Sequence, residues 1–428
     1  DHIVNLFGGM EVNNLERRRT FFHGVGIQYD MGMLPSYDYL YFKQGQEEGT
    51  QYFSVVDSYT RSAAFFGTAN YSWKGRYSVN GTVRYEGTNK LGKSRSARWL
   101  PTWNVSGAWN IHEEPWFESV RSVLSNATLR ASYSLTADRG PSSITNSKVV
   151  ITSYNPWRPS TDVSESGLGI NDVENSELTY EKKHEFNIGA NVGFLDNRIN
   201  LELDWYRRNN YDLIGAVTTT GVGGRVTKYA NVASMRSHGI EVSLSTRNIV
   251  TKDFKWNTDF IFSKTKNTVT DFDSNVRVID MVTGTGFTMS GYPVRSLFSF
   301  NFQGLHEDGV PTFINESGQV TTSDIYFQEY NEKSHLVYEG SIDPTITGSF
   351  GNVFTYKNFK LNVFMTYAFG NVIRLDPVFK SSYSDLTAMP KEFKNRWTVQ
   401  GDELITNVPV IADKRLLNND SYLSYAYN

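Results

Sequence analysis

"NRINLELDWYRRNN", residues 197–210, decides how the rest of the chain is read. From Ile199 to Trp205 every second residue is apolar (Ile199, Leu201, Leu203, Trp205), and Asn200, Glu202 and Asp204 stand between them. Successive side chains of a β-strand point to opposite faces, so as a strand this stretch shows aliphatic groups on one side and acids on the other. The same period recurs along the chain. "TLRASYSLT" sets Leu129, Ala131, Tyr133 and Leu135 against Arg130, Ser132 and Ser134. "GIEVSLS" sets Ile240, Val242 and Leu244 against Glu241 and Ser243. "FKWNTDFIF" and "FKLNVFMTYAF" repeat it, with Asp259 and Lys360 among their polar members. Helical spacing is nowhere sustained beside this alternation, so the expected fold is all-β.

The connections carry a second regularity. Tight links stand at Lys74 and Gly75, at 195–197, at 251–253 and at 356–358. Between them lie long polar excursions at 86–98, 137–183, 209–237, 267–345 and from 372 onward. Strands are expected near 3–12, 21–29, 63–73, 76–86, 99–111, 127–136, 184–194, 199–208, 238–248, 254–266, 346–356 and 359–371. With that assignment every tight link falls on one rim, joined there by the somewhat longer turns 13–19 ("NNLERRR") and 111–125. Short turns on one rim and long loops on the other are the plan of an antiparallel transmembrane β-barrel. The segment "SLFSFNFQGL", 296–305, reads as a strand, but one extra crossing would put the "YKN" turn on the wrong rim. The stretch 267–345 is therefore expected to cross the wall an even number of times, zero being the favoured value.

Bulk composition fits this plan. The mean hydropathy is −0.43, which a barrel tolerates because its interior is polar and its strands alternate. No apolar run approaches the length of a membrane-spanning helix. A net charge of −3 lacks the basic footprint that a nucleic-acid partner requires. Zero cysteines exclude a disulfide scaffold. Trp73, Tyr85, Trp99, Trp109, Trp205 and Tyr206 fall near strand ends, where amphipathic rings settle at headgroup level. The expected lipid-facing set is Ile199, Leu201, Leu203, Val242, Leu244, Leu361 and Val363. The expected lumen-facing set is Arg84, Arg130, Glu202, Asp204, Glu241, Asp259 and Lys360. A soluble β-sandwich, lectin or adhesin also has one wet face, but has no use for the alternation of short and long connections.

Catalytic chemistry finds no foothold. The seven histidines are scattered without metal-ligand spacing, and no nucleophile elbow occurs. "GVGGR" at 221–225 is read as a flexible loop, and Asp271, Asp273, Glu307 and Asp308 as solvated loop acids. No catalytic, cofactor-binding or metal-binding residue is expected, and the chain is read as not an enzyme. Binding is a different matter. Tyr154, Trp157 and Arg158 in the loop 137–183 combine aromatic platforms with hydrogen-bonding neighbours, which suits a sugar ring or a peptide backbone.

Several longer segments then resemble one family. These are "GTVRYEGTNKLGKSRSARWLPTWNVSGAWNIHEEPWF" (81–117), "LRASYSLTADRG" (129–140), "NSELTYEKKHEFNIGANVGFLDNRINLELDWYRRNNYDLI" (175–214), "NVASMRSHGIEVSLSTRNI" (231–249), "GYPVRSLFSFNFQGL" (291–305) and "DPTITGSFGNVFTYKNFKLNVFMTYAFGN" (343–371). Together and in this order they resemble the barrel of the SusC/RagA-like TonB-dependent transporters of Gram-negative outer membranes. The resemblance implies a barrel embedded in outer-membrane lipid, opened by TonB and capped by a SusD-like surface lipoprotein. It implies import of oligosaccharides or oligopeptides without a cofactor. A passive porin, or a TonB-dependent receptor for siderophores or cobalamin, is the alternative. One departure concerns an acidic turn common in the family, where this chain reads "EDGVPTFINESGQVT" (307–321), taken as two plain turns at Asp308-Gly309 and Ser317-Gly318. The family's barrel has about 22 strands and a plug. Residues 1–428 are accordingly expected to be a partial barrel with no plug domain, completed by other segments.

Overall fold

The computed structural model describes residues 1–22, 53–140, 149–154, 167–221, 227–272, 276–283, 286–323, 325–329, 334–375, 378 and 390–411. Eleven strands form one sheet. They are β1 (His2–Phe22), β2 (Phe53–Trp73), β3 (Tyr77–Thr88), β4 (Trp99–Asn110), β5 (Leu124–Asp138), β8 (Glu181–Phe194), β9 (Ile199–Thr218), β10 (Thr227–Val250), β11 (Phe254–Phe272), β17 (Ile346–Tyr356) and β18 (Phe359–Phe369). Their order in the sheet is their order in the chain, and every neighbouring pair is antiparallel. The remaining strands belong to the connections. A hairpin of β6 (Val150–Tyr154) and β7 (Gly167–Asp172) lies between β5 and β8. Between β11 and β17, β12 (Ser296–Phe300) pairs with β16 (Leu336–Ser341), and β13 (Phe302–Leu305), β14 (Pro311–Ile314) and β15 (Val320–Thr321) form a small sheet. None of these five joins the wall, so beyond the end of β11 at Phe272 the described residues up to 345 make no crossing of it.

Local chemistry explains the tight rim. Lys74 and Gly75 both have positive φ, 54° and 71°, as the central residues of the turn that the Arg76 amide closes on the Trp73 carbonyl at 3.0 Å. Leu195, Asp196 and Asn197 all adopt left-handed φ in the next such turn. The link 111–123 is longer and carries two 3₁₀ turns, Ile111–Glu113 and Pro115–Val120. Gly309 and Gly318, at φ 76° and 75°, close the two loop hairpins expected at "DG" and "SG".

Two expectations fail where strands run on past their expected ends. "NNLERRR" is no turn: β1 runs straight through it, pairing Asn13 with Ser62 and Arg17 with Ser58. The tract holds no glycine or proline to break the ladder, and Arg18 pairs across the strands with Asp57 at 2.7 Å. Of the strand placed at 21–29, Phe21 and Phe22 fall at the end of β1, and 23–29 lie outside the described residues. The excursion 209–237 shrinks to 219–226, because β9 and β10 continue their ladder past Asn209 and Asn210. The polar residues there belong to strand that runs on beyond the apolar band, half-buried where Ile214 packs on Leu91, Leu178 and Tyr180. β10 absorbs the extension through register shifts near Asn231, Ala233 and Met235.

Register assigns the faces. Leu203 pairs with Ala190 and Val242, Leu201 with Leu244, and the row runs on through Phe260 and Phe350 to Met365. Leu361 and Val363 stand on the same side, opposite Phe354 and Asn352. This apolar face has little cover: Leu6 is 77% and Phe359 79% exposed. The main buried clusters lie elsewhere, in the body 276–341, where Val278, Val282, Phe300, Phe313 and Ile325 pack together beside Val276, Met281 and Phe298.

Candidate functional site

The face opposite Leu201 and Leu203 is organised by charge. Arg130 on β5 reaches across β8 to Glu202 and Asp204 on β9, with Nη2 2.5 Å from each carboxylate. Gly189 of β8 lies beneath this bridge, and a Cβ there would come within 2.7 Å of the Arg130 Nε. Tyr206 repeats the device one strand further on. Its hydroxyl crosses β10 above Gly239 to the Thr265 hydroxyl of β11 at 2.8 Å. Arg208 stacks over its ring at 3.9 Å and pairs with Glu185, which Lys183 also holds at 3.0 Å. Nearer the long rim Arg84 bonds Glu11 at 2.9 Å and Glu86 at 2.8 Å, and Arg139 caps Glu86 from the other side. Asp259 accepts from the Ser245 hydroxyl at 2.7 Å, while Glu241 and Lys360 stand exposed on the same face.

Two recesses open on this face. One, of about 930 Å³, lies at the long rim around Arg84, Glu86, Arg139 and Tyr180. The other, of about 480 Å³, lies lower, between Asn80, Ser106, Arg130 and Asp204.

Aromatic rings band the apolar face at both ends. Trp73, Tyr77 and Trp109 stack at the short rim with centroids 5.7 and 6.2 Å apart. Glu114 fixes them by accepting from the Tyr77 hydroxyl at 2.6 Å and the Trp109 indole at 3.1 Å. The Tyr77 hydrogen bond holds the Glu114 carboxyl below its ordinary range, against partial desolvation. Tyr85 and Trp99 stack at 5.0 Å toward the long rim. Trp205 joins this face, but Tyr206 does not: it is buried on the polar side, because adjacent strand residues cannot share a face.

Residues 5–375 match the β-barrel of TonB dependent receptor-like proteins. The chain belongs to that family. It is 24% identical over 392 residues to TonB-dependent receptor P3 of Formosa agariphila, covering 86% of this chain and 38% of that protein. It is 25% identical over 343 residues to TonB-dependent receptor SusC of Bacteroides thetaiotaomicron, covering 73% of this chain and 32% of that protein. The fold superposes on the solved RagAB peptide transporter with a TM-score of 0.76 at 22% identity, covering 96% of this chain and 44% of that one. The chain thus spans well under half the length of these relatives. Its fold is that of a SusC/RagA-like β-barrel, of the kind that sits in the Gram-negative outer membrane.

Within this TonB-dependent receptor-like wall, register brings Arg130, Glu202 and Asp204 into one contact and leaves Glu241, Asp259 and Lys360 apart from it. Tyr154 falls in β6, while Trp157 and Arg158 lie outside the described residues. Among the described residues no cluster of three or more histidines and carboxylates is arranged to hold a metal. Arg139, Glu185, Arg208 and Lys90 are additions that sequence reasoning passed over. Strand parity alone places Glu185 and Arg208 on the polar face. Arg139 and Lys90 follow strand ends, where parity says nothing about direction.

Proposed function

We propose that the protein to which this wall belongs imports nutrient oligomers, oligosaccharides or oligopeptides, across the outer membrane. In this reading Ile199, Leu201, Leu203, Val242, Leu244, Leu361 and Val363 meet acyl chains. Arg84, Arg130, Glu202, Asp204, Glu241, Asp259 and Lys360 line a wet bore. The observation that carries it is the division of the wall: an uncovered apolar face on one side and a cross-strand network of ion pairs on the other. Hydrocarbon accepts the first face, and water or a polar cargo accepts the second. An open sheet edge is untenable in lipid, so further strands complete the cylinder, as the greater length of the relatives also suggests. A plug opened by TonB and a SusD-like lipoprotein at the long rim complete the importer. Support for that partnership is the likeness to SusC and to the RagAB peptide transporter.

The test is uptake of labelled oligopeptides and oligosaccharides by cells carrying the whole protein, with and without TonB. Import that stops when TonB is removed is expected. Import that continues marks a passive channel, and uptake confined to iron chelates or cobalamin marks a different receptor.

A further inference from the structure

Most charge on the polar face is matched, but at the long rim it is not. The recess of about 930 Å³ is lined by Arg17, Arg84, Lys90 and Arg139 against Glu86 and Asp138. Both acids are engaged. Glu86 accepts from Arg84 and Arg139, and Asp138 accepts from the Gly140 amide at 3.0 Å. Arg84 is held a second time by Glu11. Among the described residues no carboxylate lies in ion-pair range of Arg17 or Lys90. At the floor Tyr180 is 3% exposed and packs against Leu91 and Leu178. Burial, and then the charge of Glu86, push its phenol up to about 12, so the floor stays neutral and adds no anion.

Such a recess selects for charge. Its volume falls in the range of roughly 300–1,000 Å³ usual for ligand sites. Guanidinium groups pair with carboxylates through charge-assisted, often bidentate hydrogen bonds. Arg84 and Arg139 are already fixed by Glu86, so the ordering required when an anion arrives falls on Arg17 and Lys90 alone. Elsewhere on this face the best-placed arginines, Arg130 and Arg208, are occupied by the wall's own carboxylates.

We infer that this recess is the subsite that receives a carboxylate carried by the transported oligomer, with Arg17 and Lys90 supplying the pairing charge and Glu86 positioning Arg84 and Arg139 beside them. The inference rests on the import reading and adds to it the chemistry of the cargo. The carboxylate comes either from acidic side chains of a peptide or from uronic acids of a glycan.

The experiment uses the whole protein with its surface partner and two pairs of probes. An aspartate-containing hexapeptide is set against its asparagine counterpart, and an oligogalacturonate against a neutral oligoglucan of equal length. Calorimetry at low salt should find one acidic probe bound at least about tenfold more tightly than its neutral counterpart. The preference should disappear in Arg17→Ala/Lys90→Ala, with neutral binding unchanged, and persist in Arg17→Lys. Which acidic probe binds identifies the source of the carboxylate. The inference is overturned if neither acidic probe binds, if acidic and neutral members bind alike, or if the preference survives the double alanine variant. Should that variant fail to assemble, the native protein decides. An acidic preference lost between roughly 50 mM and 500 mM salt supports the inference, and one that persists overturns it. Energised uptake of neutral oligomers without acidic preference removes this subsite and leaves import standing. No energised uptake of any probe removes the import reading itself.

Discussion

The wall and the body between β11 and β17 use apolar residues in opposite ways. In the body, Phe300 and Phe313 are at most 1% exposed and their rings meet edge to face at 6.0 Å. In the wall, Phe359, Leu361 and Phe369 are each at least 60% exposed, although they come from an equally apolar run. The body makes its own dry interior from a single helical turn, Val278–Val282, and short strands. The wall makes none, since one layer of strands has nothing to pack its second face against. An apolar face this long is stable only against a solvent that is itself apolar.

That contrast is best broken in the body first. Phe313→Ala should open a cavity costing about 3–5 kcal/mol. Hydrogen exchange should accelerate across 276–341 and leave the β8–β10 ladder protected. Equal loss of protection in the wall would mean that the two regions share one cooperative core.

The second substitution asks the reverse question. Leu203→Arg places a charge in the middle of the apolar row, where the cost in a bilayer is about 2–4 kcal/mol. Unfolding by denaturant in phospholipid vesicles should register it. The neighbouring Glu202→Gln, on the other face, should cost less, as Asp204 still holds Arg130. A Leu203→Arg variant as stable in vesicles as the native protein would take lipid away from this face.

Gly189→Val probes the polar face at smaller scale. The added side chain meets the Arg130–Asp204 bridge from below, and overpacking of this kind costs about 1–3 kcal/mol. Replacing Gly75 by alanine is the control, since open space surrounds it and only its turn conformation is strained. The expected outcome is a lower folding yield for the valine variant with a weakened Arg130 bridge, visible as faster exchange at the centre of β8. Unchanged exchange there would show that the bridge does not order the wall.

The alternation around Leu201 and Leu203 made the wall legible because a period of two in sequence is a period of two in space. The same arithmetic placed Arg130 and Asp204 on one face without any knowledge of which strands adjoin. What it left hidden has two physical sources. Beyond the apolar band both faces meet polar surroundings, so the signal that separates strand from loop vanishes. Hence Asn13–Arg19 looked like a turn and 209–218 like an excursion. The surplus of cations at the long rim was hidden for another reason. Arg17 lies inside β1 while Lys90 and Arg139 follow the ends of β3 and β5, and only the successive pairing of β1 through β5 gathers them.

The smallest effect sharpens the contrast through pH. In the body Asp280 accepts from Arg277 three times: from Nη2 at 2.7 Å, from Nε at 2.9 Å and from the backbone amide at 3.1 Å. These bonds, the side-chain pair foremost, hold its carboxyl below the ordinary 3.8 against some desolvation. A group depressed on folding contributes stability that is fully present above the unfolded value, and that contribution is lost as pH falls through the folded one. Protection of the 277–283 amides relative to their intrinsic exchange rates should therefore be flat from neutrality to about pH 5 and fall below pH 4. Asp280→Asn should remove that acid limb while leaving the neutral plateau only slightly lowered, because the pair is partly exposed and screened. The wall offers the matching control at β9. Its row from Ile199 to Trp205 presents no titratable group on the apolar face, so the centre of the band should keep its protection over the same range. If the band loosened with the body, the acid response would belong to the whole chain, and the separation of the two regions would fail on its most sensitive test.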